Sequence, residues 1–259
     1  MTLLNQMRTI TWSVILIAIS SCVSSHNVDE KYGINQKRIG FVPARIALLP
    51  CMVWPSSATK LRNLPAINRP EDETKSLCEE LDKYVADGFD NQPFMKGLSP
   101  KLVEKMYSKA GLAPEVPTAI AAEWKSKSDD CKDCITLPAI YNLTLKNRPS
   151  WQIWLTKISS ATNGADAIMV PVILSTNTRV ENDRGILQSI RSGAIAILLI
   201  DTNDGDLIWS GGRQAEVNYK AFANSTSGKQ MPEPPLDDLK RRLLTDAIWL
   251  EFPGRQIFR

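Results

Sequence analysis

The sequence predicts an α/β fold, a mixed sheet with helices packed on it, and three observations predict it. Arg45-Ile46-Ala47-Leu48-Leu49-Pro50 is short and almost wholly apolar, as a strand covered on one or both faces must be. The middle of the chain carries apolar residues at steps of three and four, the period of amphipathic helices. The last third turns to strands, with Asn203-Asp204-Gly205 as the turn between an apolar run at 193–201 and another opening on Leu207-Ile208-Trp209.

The elements follow in order. After the strand at 45–50 and a proline-rich turn region, residues 71–87 place Leu77, Leu81 and Val85 at steps of four, with acidic residues in the first turn and Gly88 just beyond. Residues 92–98 read as a short strand. Ser99 and Pro100 then set the start of a helix that runs to Ala110 and is ended by Gly111. Further helices are expected over 117–127 and 150–162. In the second, Trp151, Trp154, Leu155 and Ile158 share one face, which marks core rather than a binding site, and Gly164 closes it. Residues 165–174 read as a strand in which Pro171 argues for an edge or a bulge. The polar stretch 177–186 reads as a hairpin connection, and the strand from Leu207 runs toward Tyr219. Leu236, Leu239, Leu243, Ala247 and Ile248 mark a last amphipathic helix, ended before Pro253. No repeat is present, and neither half of the chain has enough elements to close a core alone, so one domain is expected.

The N-terminus speaks to location. One charge, Arg8, precedes an apolar run from Ile10 to Ile19, about half of the ~20 residues a spanning helix needs. Ile19-Ser20-Ser21-Cys22 resembles the lipobox of bacterial lipoproteins: an aliphatic residue, two small residues, then the cysteine that is lipidated. The expected organisation is a signal peptide at 1–21, a flexible lipidated tether at 22–40, and a single α/β domain at 41–259 with an insert at 111–148. The alternative is an uncleaved signal anchor. Acyl chains such as palmitate at Cys22 would hold the protein on a membrane durably. Val23, in place of an acidic residue after the cysteine, favours the outer membrane facing the periplasm.

Composition excludes several classes. Lys and Arg number 31 against 28 Asp and Glu, without a like-charge run, so no nucleic-acid face is expected; Lys240-Arg241-Arg242 reads as a solvated helix face. Beyond Cys22 there are four cysteines, Cys51, Cys78, Cys131 and Cys134, an even number suited to two disulfides outside the cytoplasm. The favoured pairing is Cys51 with Cys78 and Cys131 with Cys134, with crossed pairing as the rival. A redox reading of Cys131-Lys132-Asp133-Cys134 lacks a helix start, because Pro138 follows closely. A four-cysteine zinc site lacks paired spacing at Cys51 and Cys78.

The single histidine, His26, lies in the tether, which removes Ser/His/Asp and Cys/His catalysis and histidine-based metal chemistry. Asp166, Asp201 and Glu216 are the least ordinary acids, at or within apolar strand regions, with strand-end capping as their simplest role. Residues 201–206 carry acids around Gly205 but not in the spacing of a calcium loop, and a hairpin turn accounts for them. Ser210-Gly211-Gly212 lacks the lysine of a phosphate loop. No cofactor and no enzymatic activity are expected.

Gly164-Ala165-Asp166-Ala167-Ile168-Met169-Val170, then Ala196-Ile197-Leu198-Leu199-Ile200-Asp201 and Gly205-Asp206-Leu207-Ile208-Trp209-Ser210-Gly211, resemble the C-terminal half of a group of bacterial envelope lipoproteins that includes CsgG and LpoB. Residues 45–50 resemble that group's first strand, and 92–112 its second strand and helix. The resemblance implies a three-layered domain related to the anticodon-binding fold and a role in contacts. The insert at 111–148 has no counterpart there, and no long lipid-facing alternation suggests a pore. The expected function is a non-catalytic accessory subunit of an envelope assembly, in secretion, outer-membrane biogenesis or cell-wall synthesis, with an unidentified envelope protein as partner and Trp54 and the insert as candidate contacts. The alternatives are a carboxylate-dependent glycan hydrolase, which needs two acids facing each other in a cleft, and a small-ligand carrier, which needs an enclosed apolar pocket.

Overall fold

The computed structural model describes residues 33–53, 71–90, 92–112, 137–183, 186–222 and 232–254. Seven strands form one mixed sheet: β1 (Gly33–Ile34), β2 (Arg45–Leu48), β3 (Met52–Val53), β4 (Lys96–Leu98), β5 (Ala167–Asp183), β6 (Ile186–Asp201) and β7 (Leu207–Phe222). Their order is β1-β7-β6-β5-β2-β4, with β3 also on β5. The β2, β3 and β4 pairings are parallel, whereas β5, β6 and β7 form an antiparallel meander that β1 joins at its outer edge.

Helices cover both faces. On one lie α1 (Glu71–Asp87) and α5 (Leu236–Leu243), followed by a 3-10 turn at Asp246–Trp249. Leu77, Leu81, Val85, Leu239 and Leu243 pack there on Ile46, Leu48, Met169, Ile197 and Leu199. On the other lie α2 (Pro100–Lys109), α3 (Leu137–Thr144) and α4 (Pro149–Ala161), whose Val103, Tyr107, Tyr141, Trp151, Leu155 and Ile158 pack on Ala47, Ile168, Val170, Ala196 and Leu198. Consecutive strand residues thus feed opposite layers, which is why β2, the first half of β5 and the second half of β6 are apolar without alternation. The Trp151 and Trp154 rings stack at 5.1 Å within this core.

The architecture meets the expected fold class, and several expectations change within it. The expected flexible tether to residue 40 ends sooner. Gly33 and Ile34 pair with Ser210 and Trp209, the Asn35 N–H donates to the Ile208 carbonyl at 2.9 Å, and residues 36–38 form a 3-10 turn. The insert expected at 111–148 is not wholly an addition, because its last part is α3, with Leu137 and Tyr141 buried in the core. Pro138 discouraged a helix in sequence, yet it lies in the first turn of α3, where its missing N–H would have had no helical partner. The helix expected at 117–127 lies outside the described residues.

Pro171 is at neither an edge nor a bulge. It pairs with Ile197 in mid-sheet, and the register shift falls later, between Ile173 and Ser175. Residues two apart show their backbone groups to the same neighbour, and Met169 accepts the Leu49 N–H. The donor that Pro171 lacks would therefore point into the break between β2 and β3, where no ladder bond is lost. The polar stretch 177–186 is not a connection but the far half of a hairpin: Asn177 pairs with Ser192 and Asp183 with Ile186. The meander strands hold 17, 16 and 16 residues, about 55 Å each, roughly three times an ordinary strand. The last amphipathic segment breaks at Leu244 into α5 and the 3-10 turn.

Candidate interaction surfaces

A staple joins β-sheet and helix. Cys51, in the break between β2 and β3, is disulfide-bonded to Cys78 of α1, with Cα atoms 5.3 Å apart. One helical turn on, Asp82 accepts the Cys51 N–H at 2.8 Å, a second tie between the same segments. Burial pushes the Asp82 carboxyl up to about 7; the Cys51 N–H pulls the other way and the charge of Glu104 adds to the rise. Cys22, Cys131, Cys134 and Trp54 lie outside the described residues.

The three singled-out acids have structural partners. Asp166 accepts the Ala44 and Arg45 N–H groups at 2.8 and 3.0 Å and so fixes the start of β2. Asp201 accepts from the Asn203 backbone and side chain at 2.8 and 3.0 Å, which closes the turn, while Gly205 supplies a φ of 70°. Arg38 joins Asp201 at 3.3 Å, Asp206 at 3.1 Å, and Asp204. Lys146 pairs with Asp206 at 2.5 Å, and that hydrogen bond, with Arg38 adding, holds the Asp206 carboxyl below its usual value. Tyr141 donates to the Gly205 carbonyl at 2.6 Å and accepts from Trp151 Nε1 at 3.0 Å. The turn acids thus share cations instead of flanking a cleft. The Arg38 hub escaped sequence reasoning because Arg38 and its acids are more than 160 residues apart and nothing local signals it.

Beyond the bulge the meander becomes a polar ribbon. Arg179 joins Glu181 at 2.6 Å and Glu216 at 3.3 Å, and the Glu181 hydrogen bond raises the Arg179 pKa. Asn218 donates to Gln188 at 2.7 Å on the same face. On the opposite face the buried Arg191 joins Glu233 at 2.8 Å and Glu73 at 3.7 Å. Val180 is 58% exposed near the ribbon's end. Among the described residues no strand pairs with β5 beyond Ile173 on its outer side.

A groove of about 350 Å³ runs between α1 and α5, lined by Glu80, Tyr84, Asp237, Lys240, Arg241 and Leu244. Four of its lining residues are charged and it opens to solvent, unlike an enclosed ligand pocket. Among the described residues no group of three or more His, Cys, Asp or Glu is arranged to hold a metal ion.

Fold and surfaces together define a three-layered mixed α/β sandwich with a disulfide staple and a polar three-stranded ribbon continuing the meander. No protein-family model matches the chain, and no curated protein matches it. Among solved structures it is similar to the lipoprotein GNA1162 of Neisseria meningitidis, at 14% identity over 68% of this chain and 84% of that one, with a TM-score of 0.39. It is similar also to the LpoB C-terminal domain of Salmonella enterica, at 13% identity over 69% and 87%, TM-score 0.31. A third is the PelC dodecamer of Paraburkholderia phytofirmans, at 9% identity over 82% and 89%, TM-score 0.32. At these scores the likenesses carry no argument about function.

Proposed function

We propose that this chain is an envelope lipoprotein, lipidated at Cys22 and held on the outer membrane facing the periplasm, whose α/β domain serves as a non-catalytic accessory subunit of an envelope assembly. The observation that carries the reading is the Cys51–Cys78 bond in the body of the fold, a linkage that persists in oxidising compartments, behind a leader that ends at Ser20-Ser21 just before Cys22. The acids that might have served hydrolysis are engaged with Arg38, Lys146, Arg179 and backbone N–H groups, which supports a role in contacts.

The test is in-cell crosslinking of the full-length protein followed by mass spectrometry, with a Cys22→Ala control. Capture of a defined set of envelope proteins that disappears in the control supports an anchored accessory subunit. Capture of the same set without the cysteine removes the anchor from the reading, and no specific capture removes the accessory role.

A further inference from the structure

Asp82 is a half-buried acid whose charge the fold alone does not need. It accepts the Cys51 N–H at 2.8 Å, a bond that an amide would accept as well without the cost of taking a carboxyl out of water. Asp82 lies four residues after Cys78 in α1, so the two side chains share a face with Cβ atoms about 5–6 Å apart. The Cys51 Sγ is separated only by Cα and Cβ from the N–H that Asp82 holds. The carboxyl therefore lies beside both halves of the Cys51–Cys78 bond. Both cysteines are themselves only half-buried, so the bond borders solvent.

The surroundings keep this carboxyl protonated close to neutrality. Burial pushes it up to about 7; the Cys51 N–H opposes that rise, and the charge of Glu104, on α2, adds to it. Of the elements packed on α1, β3 and the β5 residues paired with it are apolar: Met52, Val53, Val172 and Ile173. Lys240 of α5 is held by the Ser76 hydroxyl at 3.0 Å and by Asp237 at 3.5 Å. On α1 itself Glu79, one turn before, and Lys83, next in sequence, are exposed.

We infer that Cys51–Cys78 is a reversible redox site whose reaction partner is a dithiol donor and whose proton donor is Asp82. A thiolate of the dithiol attacks the Cys78 Sγ; the new sulfur–sulfur bond forms as the Cys51–Cys78 bond breaks, and the electron pair leaves on the Cys51 Sγ, which takes the Asp82 proton. The donor's second thiolate then displaces Cys78, whose sulfur is protonated from solvent. Asp82 regains its proton from those the donor has released. Two electrons pass to the chain and the donor ends as a disulfide; a disulfide acceptor reverses every step. Reduction frees α1 from the break between β2 and β3, so the state of the bond sets how firmly that helix is held. None of this depends on the lipid anchor.

Reduction of the full-length protein by dithiothreitol from about pH 5.5 to about pH 8.5 tests it, with thiols alkylated after acid quenching and the Cys51 and Cys78 peptides quantified by mass spectrometry. Divided by the concentration of dithiothreitol thiolate, the wild-type rate should stay level at low pH and fall about tenfold as pH rises through about 7, where Asp82 loses its proton. Asp82→Asn keeps an acceptor for the Cys51 N–H and should give a level profile at the low rate that wild type reaches at high pH. Glu104→Gln, an exposed change on α2, should move the wild-type midpoint to lower pH, and it decides the matter if Asp82→Asn does not fold. A wild-type profile without an inflection overturns the proton transfer, as does an inflection that persists in Asp82→Asn or stays in place in Glu104→Gln. A level Asp82→Asn profile at the faster, low-pH rate means that the carboxylate only repels the incoming thiolate, and it overturns the proton transfer too. Reduction no faster than global unfolding in the same buffer overturns the redox site itself.

Discussion

Replacing Cys51 and Cys78 together by Ala should remove a large part of the stability of this domain. The bond closes a loop over a sequence separation of 27. The chain-entropy relation then gives about 3.5 kcal/mol at 25 °C, since a cross-link of that span withholds roughly 12 cal/mol/K from the unfolded ensemble. The hydrogen bond from the Cys51 N–H to Asp82 survives the change, so little native-state contact is lost besides the bond. For a domain of this size that corresponds to a fall in Tm of about 10 °C. Urea unfolding followed by tryptophan fluorescence measures it, and because the uncrosslinked chain unfolds to a more expanded ensemble, the m-value should rise as the midpoint falls. The double mutant is preferred to a reductant, which would reduce any other disulfide as well. A loss under about 1 kcal/mol with an unchanged m-value would refute the claim that the bond constrains the unfolded chain.

Three further outcomes are expected. Asp82 titrates near 7 in the fold against 3.8 unfolded, so the native state holds its proton more tightly and this group's contribution to stability is lost as pH rises from about 4 to about 7; Asp82→Asn, compared with the parent by urea unfolding at pH 4.5 and 7.5, should show a smaller loss across that window. Tyr141→Phe strands both the Gly205 carbonyl and the Trp151 indole N–H in the core and should cost about 1–3 kcal/mol, read by thermal unfolding. Gly211→Ala should cost about 1–3 kcal/mol by overpacking, because a Cβ there would lie 2.6 Å from the Ile248 carbonyl oxygen and 2.5 Å from the Trp209 ring; wild-type stability in that mutant would mean that the 3-10 turn can shift aside.

Local signals carried much of the fold. Leu77, Leu81 and Val85 fall on the buried face of α1, Pro100 opens α2, and Gly164, with a φ of 78°, ends α4 as its N–H reaches the Ser159 carbonyl at 2.8 Å. The turn at 203–205 was equally legible, because Gly205 supplies a φ of 70° and Asp201 and Asp204 accept backbone N–H groups two residues on. What stayed hidden depends on distant partners. The stretch 177–186 looked like a connection because its residues are polar on both faces, and period and apolarity reveal a strand only when one face is apolar. Pro171 misled because a parallel neighbour with a break is invisible in sequence. Arg38 read as tether because its three carboxylates come from the other end of the chain. Of the interaction surfaces, the cysteines signalled the staple, whereas the order of the strands, which sets β5 between β6 and β2, is encoded in no local pattern.

The bulge at Ile173/Ser175 shifts the phase of β5. Upstream, even-numbered residues such as Ile168 and Val170 lie on the α4 side of the sheet; downstream, odd-numbered ones such as Asn177 and Arg179 lie on that side. One extra residue therefore decouples two alternations that would otherwise run as a single wave through both core and ribbon. The hydrophobic half can drift in sequence without dictating the polar half, and the ribbon can lengthen or shorten in steps of two residues per strand with the core register intact. A protein built this way can retune the length of its ribbon without rebuilding the body that holds it.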